Sequence, residues 1–262
     1  METKGRIIMN RMENIESQLT NKVIVSIITP LYNCQDVIRE TIDSVLAQTY
    51  PHWELIIVDD VSSDNSREIV KEYEALDKRI KLIELSVNGG AAIARNKGVE
   101  VAQGRFIAFL DSDDLWKETK LEKQVNFMIF NDYAFTCTDY EQLVDDTKKI
   151  KRIIKTRPKA DYRIVIRYNP IGNSTVMYDT LKLGKVRIPE VSKRNDYALW
   201  LKMLRMEKYV YGINEVLATY RIQKKSLSRN KVKLIKHQWQ VYRKLEKMNF
   251  FKYIYIMVCY ND

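Results

Sequence analysis

Cysteine is scarce in this chain, with three residues in 262: Cys34, Cys137 and Cys259. They lie far apart and form no Cys-x-x-Cys pair, which sets aside a disulfide framework and a cysteine zinc site. A reducing cytosol is the simplest compartment for such a chain. Histidine is scarcer still, and His52 and His237 make up neither a ligand set nor a triad. No apolar run approaches the ~20 residues of a membrane span. The first residues, METKGRIIMNRMENIESQLT, lack the long apolar core of a signal peptide. Ile8, Met12, Ile15 and Leu19 recur there at helical spacing, so residues 1–22 read as a surface leader helix. There is no internal repeat and no low-complexity tract. The segment TPLYNCQDV, after the first strand-like run, contains no glycine, so a Gly-rich phosphate loop is missing where a nucleotidyltransferase would place it.

What is present is a core and an uneven charge. Hydrophobic residues make up 45% of the chain, enough for one α/β domain with two lobes. The net charge of +10 divides sharply. Residues 1–114 hold 13 Lys/Arg against 19 Asp/Glu, a balance of −6, and residues 115–262 hold 31 against 15, a balance of +16. The acidic first half and the lack of a basic, aromatic-interleaved motif argue against a nucleic-acid-binding module. An acidic, metal-holding half and a basic half facing phosphates or anionic lipid fit the asymmetry.

The first lobe alternates strand and helix. VIVSIITP (23–30) is a β-branched run ended by Pro30, as in a strand buried on both faces. A helix is expected over 36–48 and a strand over 54–60. A helix capped by Ser63 or Asp64 then runs to about Leu76. A strand over 79–85, a turn at Asn88-Gly89-Gly90, a helix to about Ala102 and a strand over 105–111 complete the lobe. This rhythm predicts βαβ units and a mainly parallel sheet with helices on both faces. In the second lobe we expect a helix over 117–130, strands over 133–140 and 171–178, and a basic loop or hairpin over 144–159. A helix over 196–206 and short strands near 208–213 and 216–222 follow.

Ligands of parallel sheets sit beyond the carboxyl ends of the strands. Three such ends carry polar groups: Thr29 to Asn33, Asp59-Asp60, and Asp111-Ser112-Asp113-Asp114. Asp111 and Asp113 are hard oxygen ligands one residue apart, suited to Mg²⁺ or Mn²⁺ bridging to substrate phosphates. Asp-rich turns are common, and it is the position after a buried strand, beside Asp59-Asp60, that marks this one.

Six segments then carry a family resemblance. TPLYN (29–33), QTYPHWELIIVDDVSSD (48–64), ARNKG (94–98), GRFIAFLDSDD (104–114), NDYALW (195–200) and YRIQKKSLS (220–228) stand in order along residues 23–228. Together they resemble the family 2 glycosyltransferases of GT-A fold, such as bacterial enzymes of capsule, lipopolysaccharide or teichuronic-acid assembly. The resemblance implies an inverting, metal-dependent enzyme that takes a sugar from a nucleotide diphosphate donor, with uridine as the expected base, to a glycan or lipid-linked glycan. It implies a catalytic domain over 23–228, made of a nucleotide-sugar-binding lobe (23–114) and an acceptor lobe (115–228).

Roles carry over residue by residue. Pro30 and Tyr32 would line the base pocket, and Thr29 would contact the nucleotide. Asp60, or Asp59, would accept a hydrogen bond from base or ribose, although strand-end carboxylates also serve as caps. Arg95 would contact the nucleotide, an ordinary salt bridge being the alternative. Asp111 and Ser112 would face the nucleotide, and Asp113, with Asp111, would hold Mn²⁺ or Mg²⁺; Asp114 is the weaker candidate and could cap the next helix. Asp196 would be the general base, although a carboxylate at a helix start is also favoured by the helix dipole. Arg221 would meet the diphosphate, with Ser226 and Ser228 as further donors. Two departures stand out: Asn195 replaces the Glu often found before the base, and Gln223 replaces a His after the arginine. Trp53 and Trp200 are expected in the core.

The tail, 229–262, reads as a basic amphipathic helix over 229–249, with Val232, Ile235, Trp239, Tyr242 and Leu245 on one face, followed by FFKYIYIMVCY. Its expected partner is an anionic membrane at the cytoplasmic face. Packing onto the domain and a homodimer contact are the alternatives. A nucleotidyltransferase and a catalytically inert nucleotide-sugar-binding protein are the competing functions. The first lacks its phosphate loop, and the second would not need Asp60, Asp111, Asp113 and Asp196 all present.

Overall fold

The computed structural model describes residues 24–144, 147–191, 193–222, 239 and 241–246. Four parallel strands form the first half of a continuous sheet: β1 (Val25–Leu31), β2 (Trp53–Asp59), β3 (Ile80–Glu84) and β4 (Phe106–Phe109). They are joined by helices α1 (Ile38–Leu46), α2 (Ser66–Leu76) and α3 (Ala91–Val101). Every residue of β1 and β2 is buried, as β-branched runs inside a sheet covered on both faces should be.

The second lobe comprises β5 (Leu115–Trp116), α4 (Lys120–Asn131), β6 (Phe135–Val144), β7 (Lys149–Ile154), β8 (Lys159–Asp161) and α5 (Tyr162–Arg167). It continues with a 3₁₀ turn over Asn173–Thr175, then β9 (Met177–Asp179), α6 (Thr180–Leu183), α7 (Asn195–Met206) and β10 (Tyr209–Ile222). The strand order is β3-β2-β1-β4-β9-β6-β10-β5, with β7 on β6 and β8 on β10. Pairing in the first lobe is parallel throughout; the antiparallel pairs come from β5, β7, β8 and β9.

Alternation along each strand divides the core into two layers. Ile27, Leu55 and Ile57 face α1, α2 and α4 through Ile42, Val45, Val70 and Leu121. Ile28, Ile56 and Phe109 face α3 and α7 through Ala94, Val99, Trp200 and Met203. Trp53 and Trp200 are both in the core, as expected. Gly98 lets α3 lie close on β1, since a Cβ there would stand 2.6 Å from Ile28 Cγ2.

Several expectations change in detail. The two short strands near 208–213 and 216–222 are one strand, β10, whose register against β6 slips between Ile213 and Ala218. The strand expected over 171–178 is a 3₁₀ turn followed by β9. The short helix α5 was not foreseen; Asp161 caps it by accepting from the Ile164 N–H at 2.9 Å. The leader (1–22), Gln223, Ser226, Ser228 and most of the tail lie outside the described residues. Where the tail is described, it packs back on the domain. Val241 and Tyr242 are fully buried in the α7 layer, and the Tyr242 hydroxyl donates to the Ile166 carbonyl at 2.8 Å. Tyr242 was expected on the face that meets a membrane, and at this position the domain core covers it.

Candidate active site

Parallel pairing sets Leu31 opposite Asp59 and Ile28 opposite Phe109, so the ends of β1, β2 and β4 emerge on the same side of the sheet. The loops that leave them are held in uncommon backbone conformations. Asn33 (φ 51°) follows β1, Val61 (φ 64°) follows β2, and Arg194 (φ 62°) precedes α7. A left-handed β-branched residue such as Val61 is rare and is tolerated only where its surroundings fix it. Here Asn33 N–H donates to Ser62 Oγ at 3.0 Å, and Ser63 N–H donates to Asn33 Oδ1 at 2.8 Å, stitching the two loops together.

Thr29 and Pro30 lie buried inside β1, whose pairing continues through Leu31. Tyr32, just beyond the strand, is exposed, at 53%. Asp59 is buried and accepts from the Ser62 N–H, fastening the loop that enters α2. Asp60 spans the turn before α3: its two oxygens accept from Gly89 N–H at 2.7 Å and Gly90 N–H at 2.8 Å. Both carboxylates therefore do the structural work that the sequence left as an alternative.

Arg95 is no surface salt bridge. It is 7% exposed, its Nη2 donates to Asp111 Oδ1 at 2.5 Å, and its Nη1 donates to Asn195 Oδ1 at 2.8 Å. One guanidinium thus joins the acidic loop after β4 to the first turn of α7, where Asp196 stands half-buried. Among the described residues, none donates a hydrogen bond to the Asp196 carboxylate. The neighbouring Asn96 clamps the strap before α7 through both sides of its amide, to Ile188 carbonyl at 3.0 Å and from Ile188 N–H at 2.7 Å.

The acidic loop is fixed from several directions. Ser112 carbonyl accepts from Thr41 Oγ1 at 3.0 Å, and Ser112 Oγ lies 3.1 Å from Cys34 Sγ. Burial, and then repulsion from Asp111, push the Asp113 carboxyl up to about 6. Asp114 is fully buried, accepts from Ser174 Oγ at 2.5 Å and from Arg221 N–H at 3.0 Å, and is raised well above the usual carboxylate range, first by burial. It anchors the loop and does not cap the next helix, which begins six residues later at Lys120. Arg221, expected at a diphosphate, is buried in the structure: Nε donates to the Asp113 carbonyl at 2.9 Å and Nη2 to Glu40 at 2.6 Å. It shapes the acidic loop from behind. Asp111 and Asp113 are the carboxylates that could hold a cation; among the described residues no group of three or more His, Cys, Asp or Glu forms a ready cage.

Sequence reasoning missed Asn173 and Ser174. Asn173 Nδ2 donates to Asp111 Oδ1 at 2.7 Å, and Ser174 Oγ accepts from Asp111 N–H at 3.1 Å while donating to Asp114. The polar cluster Gly172-Asn173-Ser174-Thr175 was the available signal for a turn. A second buried network supports this turn: Trp116 Nε1 donates to the Ser174 carbonyl at 2.7 Å, and Gln124 Nε2 to the Thr175 carbonyl at 3.0 Å.

Known proteins show the family and the fold of this chain. Residues 26–188 match the model of Glycosyl transferase family 2. The chain is 45% identical over 243 residues to TuaG of Bacillus subtilis, a protein named for glycosyl transfer in teichuronic acid biosynthesis, covering 92% of this chain and 96% of that one. It is 41% identical over 220 residues to WfgD of Escherichia coli, named a UDP-Glc:α-D-GlcNAc-diphosphoundecaprenol β-1,3-glucosyltransferase, covering 83% and 85%. Among solved structures, Staphylococcus aureus TarS with UDP superposes with a TM-score of 0.67 at 21% identity, covering 84% of this chain and 63% of that chain. The mannosyltransferase PcManGT of Pyrobaculum calidifontis, solved with GDP-Man and Mn²⁺, gives 0.67 at 19% identity, covering 88% and 66%. The chain belongs to glycosyl transferase family 2 and is a glycosyltransferase of GT-A fold.

Proposed function

We propose that this enzyme moves a sugar, with inversion, from a nucleotide diphosphate sugar to a lipid-linked glycan of the bacterial envelope. The observation that carries the reading is Arg95, which holds Asp111 of the acidic loop and Asn195, next to Asp196, at once. This link between the acidic loop and the first turn of α7 supports a donor-side and an acceptor-side carboxylate acting at one site. The likeness to WfgD, whose name specifies UDP-glucose and a diphosphoundecaprenol-linked sugar, supports a UDP donor and a polyprenol-linked acceptor.

Asp111 and Asp113 fit a hard divalent cation, because both offer carboxylate oxygens and Asp113 is half-buried beside a like charge that a cation would relieve. Mg²⁺ or Mn²⁺ held there would neutralise the leaving diphosphate. The chain's own residues do the rest. Tyr32 offers an exposed ring to a base. Asp196, whose carboxylate has no donor among the described residues, takes the proton of the attacking acceptor hydroxyl. The acceptor oxygen forms its bond to the anomeric carbon as the bond from that carbon to the donor phosphate breaks, and the nucleoside diphosphate leaves with the electron pair. A lipid-linked acceptor and a nucleotide-sugar donor together support work at the cytoplasmic face of the membrane; no described helix is long and apolar enough to cross it.

The test is a screen of nucleotide sugars with Mn²⁺ or Mg²⁺ against a polyprenol-diphosphate-linked acceptor, with the product anomer read by NMR. Asp196→Asn should lower kcat by roughly 10²–10⁴-fold and leave donor affinity nearly unchanged. Wild-type turnover by this variant, or a product of retained configuration, would overturn the mechanism.

A further inference from the structure

The second lobe carries a surface that holds none of the candidate site residues. Strand β7 extends antiparallel along the far end of β6 and has no other neighbour among the described strands. From residue 147 to residue 160 the chain has seven lysines and arginines and no acid, although Asp145 and Asp146 stand immediately before. Lys149, Lys151 and Lys155 are exposed, and no described carboxylate pairs with them. Between them, Ile150 is 48% and Ile153 is 52% exposed. Pairing places both isoleucines on one face of the hairpin, Ile150 opposite Leu143 and Ile153 opposite Glu141, with Lys151 as the extra residue of a bulge.

Lysines and a bulge on an outer strand also guard it from pairing with another chain. That purpose does not call for two exposed isoleucines on a single face. Apolar side chains flanked along the strand by cations match a surface that is negative outside and apolar within, and the one carboxylate in register with them, Glu141 opposite Ile153, is already taken up by Lys117 and Thr219.

The position of the hairpin points the same way. Leu143 lies between Ile150 of β7 and Arg221 of β10 in adjacent register. Two strand spacings, about 10 Å, therefore separate the Ile150 backbone from Arg221. The Arg221 N–H in turn bonds Asp114 in the acidic loop. A flat surface resting on the hairpin thus lies beside the end of the sheet where the donor carboxylates sit.

We propose that the β6–β7 hairpin docks this enzyme on an anionic bilayer, with lipid head groups around Lys149, Lys151 and Lys155 and with Ile150 and Ile153 entering the interface. The proposal deepens the reading of a lipid-linked acceptor. It also moves the membrane contact away from the tail, whose Val241 and Tyr242 the domain covers.

The full chain is sedimented with equimolar phosphatidylglycerol/phosphatidylcholine vesicles and with phosphatidylcholine vesicles, and transfer to a water-soluble acceptor is measured separately, so that docking and catalysis can fail independently. Wild type should bind the anionic vesicles only. The variant Lys149→Gln/Lys151→Gln/Lys155→Gln should bind them about a hundredfold more weakly, at about 1 kcal/mol for each charge. Ile150→Ser/Ile153→Ser should lose the part of binding that survives high salt. Both variants should keep their circular dichroism and their rate on the soluble acceptor. Absence of wild-type binding, or binding by the lysine variant equal to wild type, would overturn the proposal while leaving the transfer reaction intact. Failure of wild type to transfer any sugar would instead reject the functional reading, whatever the vesicles show.

Discussion

Lys120 is a fully buried amine in the first turn of α4, and replacing it tests the energetics of the layer beneath the acidic loop. Its Nζ donates to Gln124 Oε1 at 2.7 Å and lies 4.0 Å from the centroid of the Trp116 ring, and among the described residues no carboxylate pairs with it. Burial alone pushes its pKa down to about 7 from the usual 10.5. The sign follows directly. Above pH 7 the folded amine is neutral, whereas the unfolded chain keeps its proton until about pH 10. The unfolded state therefore binds more protons across this window, and stability rises with pH at about 1.4 kcal/mol per pH unit. Between pH 7.5 and 9.5 the wild type should gain about 2.5 kcal/mol over Lys120→Met, which has no proton to lose. Below pH 7 the difference between the two should be flat. The variant leaves Gln124 Oε1 without its donor, a cost of about 1–3 kcal/mol that does not depend on pH and so does not affect the comparison of slopes. Urea unfolding at pH 6, 7.5 and 9.5, followed by tryptophan fluorescence, reads it out. Parallel stability profiles for wild type and variant would refute the reasoning, because they would mean that the folded amine keeps its ordinary pKa. Trp116 and Gln124 also hold the 173–175 turn that carries Asn173 to Asp111, so the site's geometry shares this support.

Asp113→Ala should abolish turnover and weaken nucleotide-sugar binding in the presence of Mn²⁺, as read by calorimetry; wild-type turnover that persists in excess EDTA would remove the metal from the mechanism. Gly98→Ala should destabilise the fold by about 1–3 kcal/mol, because its Cβ would overlap Ile28 in the sheet. An unchanged melting temperature would show that α3 can lift from β1 without loss.

The sequence by itself determined the first lobe and the acidic loop. The continuous apolar runs 23–30, 54–60 and 105–111, separated by segments of helical period, pointed to buried parallel strands whose polar ends converge. Asp60, Arg95, Asp111, Asp113 and Asp196 stood out as candidates through their motifs. Their partners were not. Arg95 meets Asn195 across 100 residues of chain, and Asn173 meets Asp111 across 62. No local pattern encodes such distances. The sequence left open whether Arg95 was a surface ion pair and whether Asp114 capped a helix, and it set Arg221 at a diphosphate. Tertiary packing buried all three and gave each its bonds. The tail shows the same division. Its amphipathic period was visible, but a hydrophobic stripe is equally satisfied by lipid or by protein, and only the folded domain, with a site for Tyr242 beside Ile166, decided which of them covers that residue.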